Sequence, residues 1–339
     1  MAPGSKGDPV QPFEYQRASD PQGAVSAVGP DSKFLAGGTN LVDLMKQQVE
    51  MPAHLIDINR LDLAKIEELP EGGLRLGALA RNADTAEHPL VRERYPMLAQ
   101  AILAGASPQL RNLATNGGNL LQRTRCYYFY DPAYEQCNKR KPGSGCGAIQ
   151  GYNRIHAILG ASPSCIATHP SDMCVALAAL GAVVKVRGRR GERSIPLAEF
   201  HRLPGSSPQV DTNLRADELI LSIDLPKSPY AEHSTYVKVR DRASYAFALV
   251  SAAAALELDG GTIRSARLAL GGVAHKPWRS EKAEAALAGK PANQASYQAA
   301  AEEVLTGAKT YEHNAFKVAL AKETIVRAFT LAAGNGAQV

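Results

Sequence analysis

The chain has 339 residues, 45% of them apolar and 21% charged, with a net charge of +5 spread along its length. That balance is ordinary for a soluble globular protein, and the length exceeds what one compact core usually holds, so two or three domains are expected. No dense Lys/Arg stripe with interleaved aromatics points to nucleic acid, and no apolar run reaches the roughly 18–20 residues of a membrane span. The opening stretch MAPGSKGDPVQ reads as a flexible tail over residues 1–11 and carries no apolar segment of the kind a signal peptide needs.

From Tyr15 the pattern predicts a short strand and a helix opened by Asp20-Pro21. KFLAGGTNLVDLMKQQ reads as an apolar approach, a small-residue turn and a helix with Leu41, Leu44 and Met45 on one face. HLIDINRL and LRLGALAR are short strands, and the helical stretch that follows is broken at Pro96. HPSDMCVALAALGAVVKVRG gives a strong helix and then a strand, and DELILSIDLP gives a strand ended by proline. PKSPYAE, near Pro226–Glu232, is the candidate linker. A basic strand follows, then a long apolar run that is either strand or helix, a further strand, and two C-terminal helices. Mixed rather than alternating elements indicate α+β.

Two glycine turns stand out. AGGTNL, Ala36 to Leu41, links a strand to a helix, and ATNGGNLL repeats the theme about 80 residues later. Glycine lets backbone approach a ligand closely, and N–H groups at a helix start suit phosphate. Neither turn is G-x-G-x-x-G, so a Rossmann reading is not supported. Ser171 and Asp172 open a helix, where the plain role is an N-cap.

All five cysteines fall between Cys126 and Cys174, spaced x10, x8, x18 and x8. Such clustering favours metal over a disulfide framework, but the spacing has neither zinc-ribbon pairs nor the tight ferredoxin run. Four thiolates suit a [4Fe–4S] cluster or a structural zinc equally well in number. Cys126, Cys137 and Cys146 lie in turn-rich segments and Cys165 just before ATHPSD, and these four are the expected ligands. Cys174 falls inside an apolar helix and is excluded. Arg123, Arg125, Lys139, Arg140 and Lys141 crowd the loop; cations stabilise an anionic iron–sulfur cluster, the plain alternative being a solvated basic loop.

Taken in order, LAGGTNL, TNGGNLL, THPSD, DELILSIDLP, YVKVRDRASYAFALVSAAAAL and LALGGVAHKPWR resemble the FAD-binding subunits of the xanthine dehydrogenase family of molybdenum hydroxylases. The resemblance covers about residues 12–335 and leans toward the FAD and [4Fe–4S] subunit of bacterial periplasmic aldehyde oxidoreductases, which carries an extra cysteine loop here. It implies a two-part, PCMH/VAO-like FAD-binding domain over 12–228, with subdomains split near 60–70 and an inserted iron–sulfur loop at 123–166. A CO-dehydrogenase-flavoprotein-like α+β domain would follow over 229–339.

By the same resemblance Leu35, Ala36, Gly37, Gly38, Thr39, Asn40 and Leu41 wrap the FAD diphosphate. Thr115, Gly118, Asn119 and Leu121 contact the cofactor, Asp172 hydrogen-bonds it, Ile220 packs beside the isoalloxazine and Lys238 reaches it. Lys238 also reads as a solvated strand residue. The implied partners are a large molybdopterin subunit and a small subunit with two [2Fe–2S] clusters, electrons passing through FAD to an external acceptor. The chain itself needs no catalytic acid or base. It would assemble in the cytoplasm and reach the periplasm by Tat co-export with a signal-bearing partner. A rival reading is an assembly scaffold with structural FAD and a zinc–thiolate site. A self-sufficient flavin oxidase ranks last, because no base is evident.

Overall fold

A computed structural model describes residues 10–334, so nine of the eleven residues expected to form the tail lie outside the described residues. The first lobe is a parallel sheet of β1 (Glu14–Arg17), β2 (Ser32–Leu35) and β3 (His54–Asp57) in the order β1-β3-β2. Helices Pro21–Ala27 and Leu41–Lys46 make its two crossovers. Asp20 starts the first of these as expected, its Oδ1 accepting from Gly23 N at 2.8 Å with Pro21 behind it.

The second lobe holds β4 (Ile66–Glu68), β5 (Leu74–Gly77), β6 (Val183–Gly188), β7 (Gly191–Pro196) and β8 (Leu219–Leu225). They form an antiparallel sheet ordered β4-β5-β8-β6-β7. β8 is central and buried, which explains its nearly unbroken apolar run. Sequence patterning misses β7, an edge strand with a mostly exposed GERSIP sequence. Helices Pro89–Arg94, Pro96–Ala104 and Asp172–Ala179 pack around this lobe, the break falling at Pro96 as expected.

The third unit is an antiparallel sheet of β9 (Ser234–Val239), β10 (Val250–Asp259), β11 (Thr262–Gly271) and β12 (Trp278–Arg279). The ambiguous apolar run is therefore a strand, β10. Val250 through Leu256 are all buried because both faces are covered. Ala253 and Ala255 join the core of the second lobe, whereas Ala252, Ala254 and Leu256 join the core under helix Phe316–Ala332. A run buried on both sides shows no alternation, so periodicity could not assign it. Three C-terminal helices follow rather than two: Glu281–Leu287, Gln294–Val304 and Phe316–Ala332. The segment read as a linker is pinned. Tyr95 Oη donates to Pro226 O at 2.7 Å, and buried Tyr230 places its hydroxyl 2.9 Å from Ser265 Oγ.

Candidate functional site

The two glycine turns meet. The backbone of Gly37 lies so close to residues 113–114 that a Cβ there would sit 2.0 Å from Leu113 O, a contact only glycine permits. Gly38 adopts φ +69°, turning the chain from β2 into helix Leu41–Lys46. Leu35 to Leu41 are all half-buried, so the turn's backbone stays approachable. The second turn is the start of a short helix, Asn116–Leu120, capped by Thr115, whose Oγ accepts from Gly118 N at 3.2 Å. Asn116 is wholly buried and bonds Asn82, Thr85 and Gly77 O, which fixes this helix to β5 and its neighbours. Leu121, just past the helix, is exposed.

A polar chain runs onward from Asn119. Its Nδ2 donates to Asn82 Oδ1 at 2.7 Å, and its Oδ1 accepts from Ser171 Oγ at 2.6 Å. Ser171 is the N-cap of helix Asp172–Ala179, accepting from Cys174 N at 3.0 Å. Asp172 then accepts from Tyr236 Oη at 2.5 Å and from Lys238 Nζ at 2.7 Å. Lys238 is not a solvated strand residue: its side chain is 4% exposed and also donates to Ala104 O at 3.0 Å. Burial, with the Asp172 carboxylate beside it, raises the Tyr236 phenol well above its ordinary pKa, so it stays a donor.

The structure thus joins Thr115, Gly118, Asn119, Asp172 and Lys238 in one neighbourhood, but it pairs Asp172 and Lys238 with each other. Ile220, on β8, is buried in the second lobe's core. Tyr236 and Ser171's bond to Asn119 were not expected, because side chains 64 and 52 residues apart leave no local signal.

Asn40 ties the first turn to the cysteine loop. Its Nδ2 donates to Tyr130 Oη at 3.0 Å and its Oδ1 accepts from Arg123 N at 2.9 Å. Within the loop Cys126, Cys137, Cys146 and Cys165 converge on one cluster with Phe129, Ala148 and Ile166, around a cavity of about 10 Å³. Cys137 and Cys146 bridge in antiparallel fashion, as do Ser162 and Cys165. Cys174 lies apart, in the second lobe's core. The Cys165 thiol hydrogen-bonds the Cys146 sulfur, which brings Cys146 down to about 6 and pushes Cys165 up. Burial pushes Cys126 up to about 12.

His156 Nε2 stands 3.1 Å from Cys126 Sγ, a neighbour that GYNRIHAI does not advertise. The cations around the loop are mostly spoken for. Arg123 pairs with Glu50 and with Asp211 at 2.8 Å, Lys139 with Asp211, and Arg125 with Asp43 at 3.1 Å. Arg140 is held by the carbonyls of Phe129, Asp131 and Tyr134, and Lys141 is exposed. The charge seen in the sequence is thus largely balanced by acids from elsewhere in the chain.

Comparison with known proteins decides the family. Residues 11–228 match the family described as "FAD binding domain in molybdopterin dehydrogenase", and 235–332 match "CO dehydrogenase flavoprotein C-terminal domain". The chain belongs to the FAD-binding medium subunits of the molybdenum hydroxylases. It is 53% identical to the aldehyde oxidoreductase FAD-binding subunit PaoB of Escherichia coli (strain K12), over 93% of this chain and 96% of that one. It is 27% identical to the carbon monoxide dehydrogenase medium chain of Hydrogenophaga pseudoflava, over 94% and 96% of the two chains. The solved carbon monoxide dehydrogenase of that organism superposes with a TM-score of 0.75 at 28% identity, covering 97% of this chain and 100% of that chain. As a medium subunit the chain is part of an oxidoreductase, and its α+β order of a flavin domain followed by a C-terminal domain is the family's. Among the described residues no helix is long and apolar enough to cross a membrane.

Proposed function

We propose that this chain is the electron-transferring subunit of a molybdenum-containing aldehyde oxidoreductase, holding FAD at the joined glycine turns and a [4Fe–4S] cluster in the four-cysteine cradle. The observation that carries the reading is the convergence of Cys126, Cys137, Cys146 and Cys165 beside Tyr130 and Arg123, both bonded to Asn40 of the first glycine turn. Two redox groups held by one connected framework suit a relay.

Four thiolates suit a [4Fe–4S] cluster or a structural zinc equally well in number, and the resemblance to FAD and [4Fe–4S] subunits favours the cluster. The zinc scaffold is the rival that the metal assay separates.

The flavin, when bound, supplies the exchange between one- and two-electron steps. The chain's own part is positional. Backbone N–H groups from Gly37 to Leu41 would hold the diphosphate, and Thr115, Gly118, Asn119 and Leu121 would contact the cofactor from the second turn. The Asp172–Lys238 pair would steady the region next to Asn119, and Ile220, buried on β8, would stand behind the ring. Partners on this reading are a large molybdopterin subunit that performs the aldehyde chemistry and a small [2Fe–2S] subunit that delivers electrons. An external acceptor collects them at the flavin. Assembly in the cytoplasm and Tat co-export with a signal-bearing partner complete the proposal.

The test is an anaerobic UV–visible spectrum with iron, sulfide and flavin assays, on the wild type and Cys137→Ser. One flavin with about four irons, and a broad shoulder near 400 nm that the variant loses, is the expected result. Flavin with zinc and no iron would overturn it.

A further inference from the structure

Cys174 is the cysteine outside the cradle, and it is not alone. Its sulfur and one ring nitrogen each of His169 and His201 all lie within 4.8 Å of one another. The two imidazole rings are 4.2 Å apart between centroids. Three separate pieces of chain supply the group: the turn before helix Asp172–Ala179, that helix, and the residue following helix Leu197–Phe200.

Two of the ring nitrogens are buried with nothing to bond. His169 Nε2 and His201 Nδ1 have no hydrogen-bond partner, and His201 is 3% exposed. The tautomer of His201 follows from its other nitrogen. Nε2 stands 2.8 Å from Leu120 O, and a carbonyl only accepts, so Nε2 carries the proton and Nδ1 a free lone pair. A backbone carbonyl that fixes a histidine's tautomer is the arrangement metal-ligating imidazoles use. A ring nitrogen left unpaired in a core is costly, and a shared cation would remove that cost.

We propose that His169, Cys174 and His201 form a buried metal site, distinct from the four-cysteine cradle, for the thiophilic monovalent ion Cu(I). The thiolate selects a soft ion. Closed zinc sites take four ligands, whereas three suffice here. His275 Nε2 is also unpartnered but lies outside the 4.8 Å group, 4.0 Å from Asp211 Oδ1. One thiolate and one monovalent cation sum to zero charge, as a dry core requires. On binding, the Cys174 S–H bond breaks, its proton leaves to solvent, and a Cu–S bond forms with no change of oxidation state.

The experiment is an anaerobic Cu(I) titration of the full chain with its cofactors in place, in competition with a colorimetric Cu(I) chelator. X-ray absorption at the copper edge reads the ligand shell. The expected result is one tight equivalent with a one-sulfur, two-nitrogen shell and one proton released. Cys174→Ala and His201→Gln should each weaken it at least tenfold. Cys174→Ser, nearly isosteric, serves if the other variants fail to keep their flavin. Absence of a tight equivalent, an all-sulfur shell, or affinity unchanged by Cys174→Ser would overturn the proposal. Zn(II) displacing Cu(I) from these residues would overturn the choice of ion.

Discussion

Lys238 Nζ lies 2.7 Å from the Asp172 carboxylate, with the two side chains 4% and 7% exposed. The pair joins β9 to the helix that follows the cysteine loop, bridging the flavin domain and the C-terminal domain. Removing one partner strands the other as a buried charge. Lys238→Met should destabilise the protein by about 3 kcal/mol or more, with loss of flavin, whereas the double variant Lys238→Met/Asp172→Asn should recover part of that stability. Thermal melts with flavin-to-protein ratios check it, and equal losses in the single and double variants would refute the coupling.

Gly37→Ala should separate the two glycine turns. The added methyl meets Leu113 O, a backbone atom with no rotamer to yield. The expected outcome is a folded protein with most of its FAD lost, read from the flavin-to-protein ratio. Gly143→Ala is the comparison: its Cβ would meet nothing within 4 Å, so that change should cost only the strain of its φ of +86° and leave the flavin in place.

On the iron–sulfur reading, His156→Leu should make the cluster harder to reduce. Nε2 is 3.1 Å from Cys126 Sγ, and a donated hydrogen bond to a ligand sulfur stabilises the reduced, more negative state. A potentiometric titration followed by electron paramagnetic resonance should show a more negative potential with iron content unchanged. An unshifted potential would remove His156 from that role.

Asp57 predicts an acid limb of stability. Burial raises its pKa, but bonds from Tyr15 Oη, Asn59 and Arg17 outweigh that and hold it at about 2, below the usual 3.8. A carboxyl depressed in the folded state gives stability that is complete above the unfolded value and lost as pH falls through the folded one. The window is therefore about pH 4 to 2. Melts across that range should fall less steeply for Asp57→Asn than for wild type.

Asn40→Ala should weaken the link between the glycine turn and the cysteine loop, leaving Arg123 N without its acceptor and Tyr130 Oη with Asp43 alone. Each lost bond is worth about 1 kcal/mol. Lower flavin affinity and lower iron content in the same preparation would follow, and loss of neither would show that the two regions fold independently.

Local chemistry made much of this protein legible in its sequence. Asp20-Pro21 stops and starts chain within a few residues, Pro96 breaks a helix wherever it lies, and Gly37-Gly38 marks a turn no other residue pair could make so tightly. The ordered set of such signals also gave the family. Three cysteines in turn-rich segments and a fourth just before ATHPSD, set against a fifth in an apolar helix, showed which would gather. Tertiary structure alone decided the rest, because it depends on which distant groups meet. Both-sided burial made a strand of β10, a run whose pattern fits either element. Glu50 and Asp211 neutralise the basic loop from far along the chain, and Asp172 spends its charge on Lys238 across 66 residues. Cys174, apolar filler by its helix position, faces two imidazoles that no periodicity could bring to it.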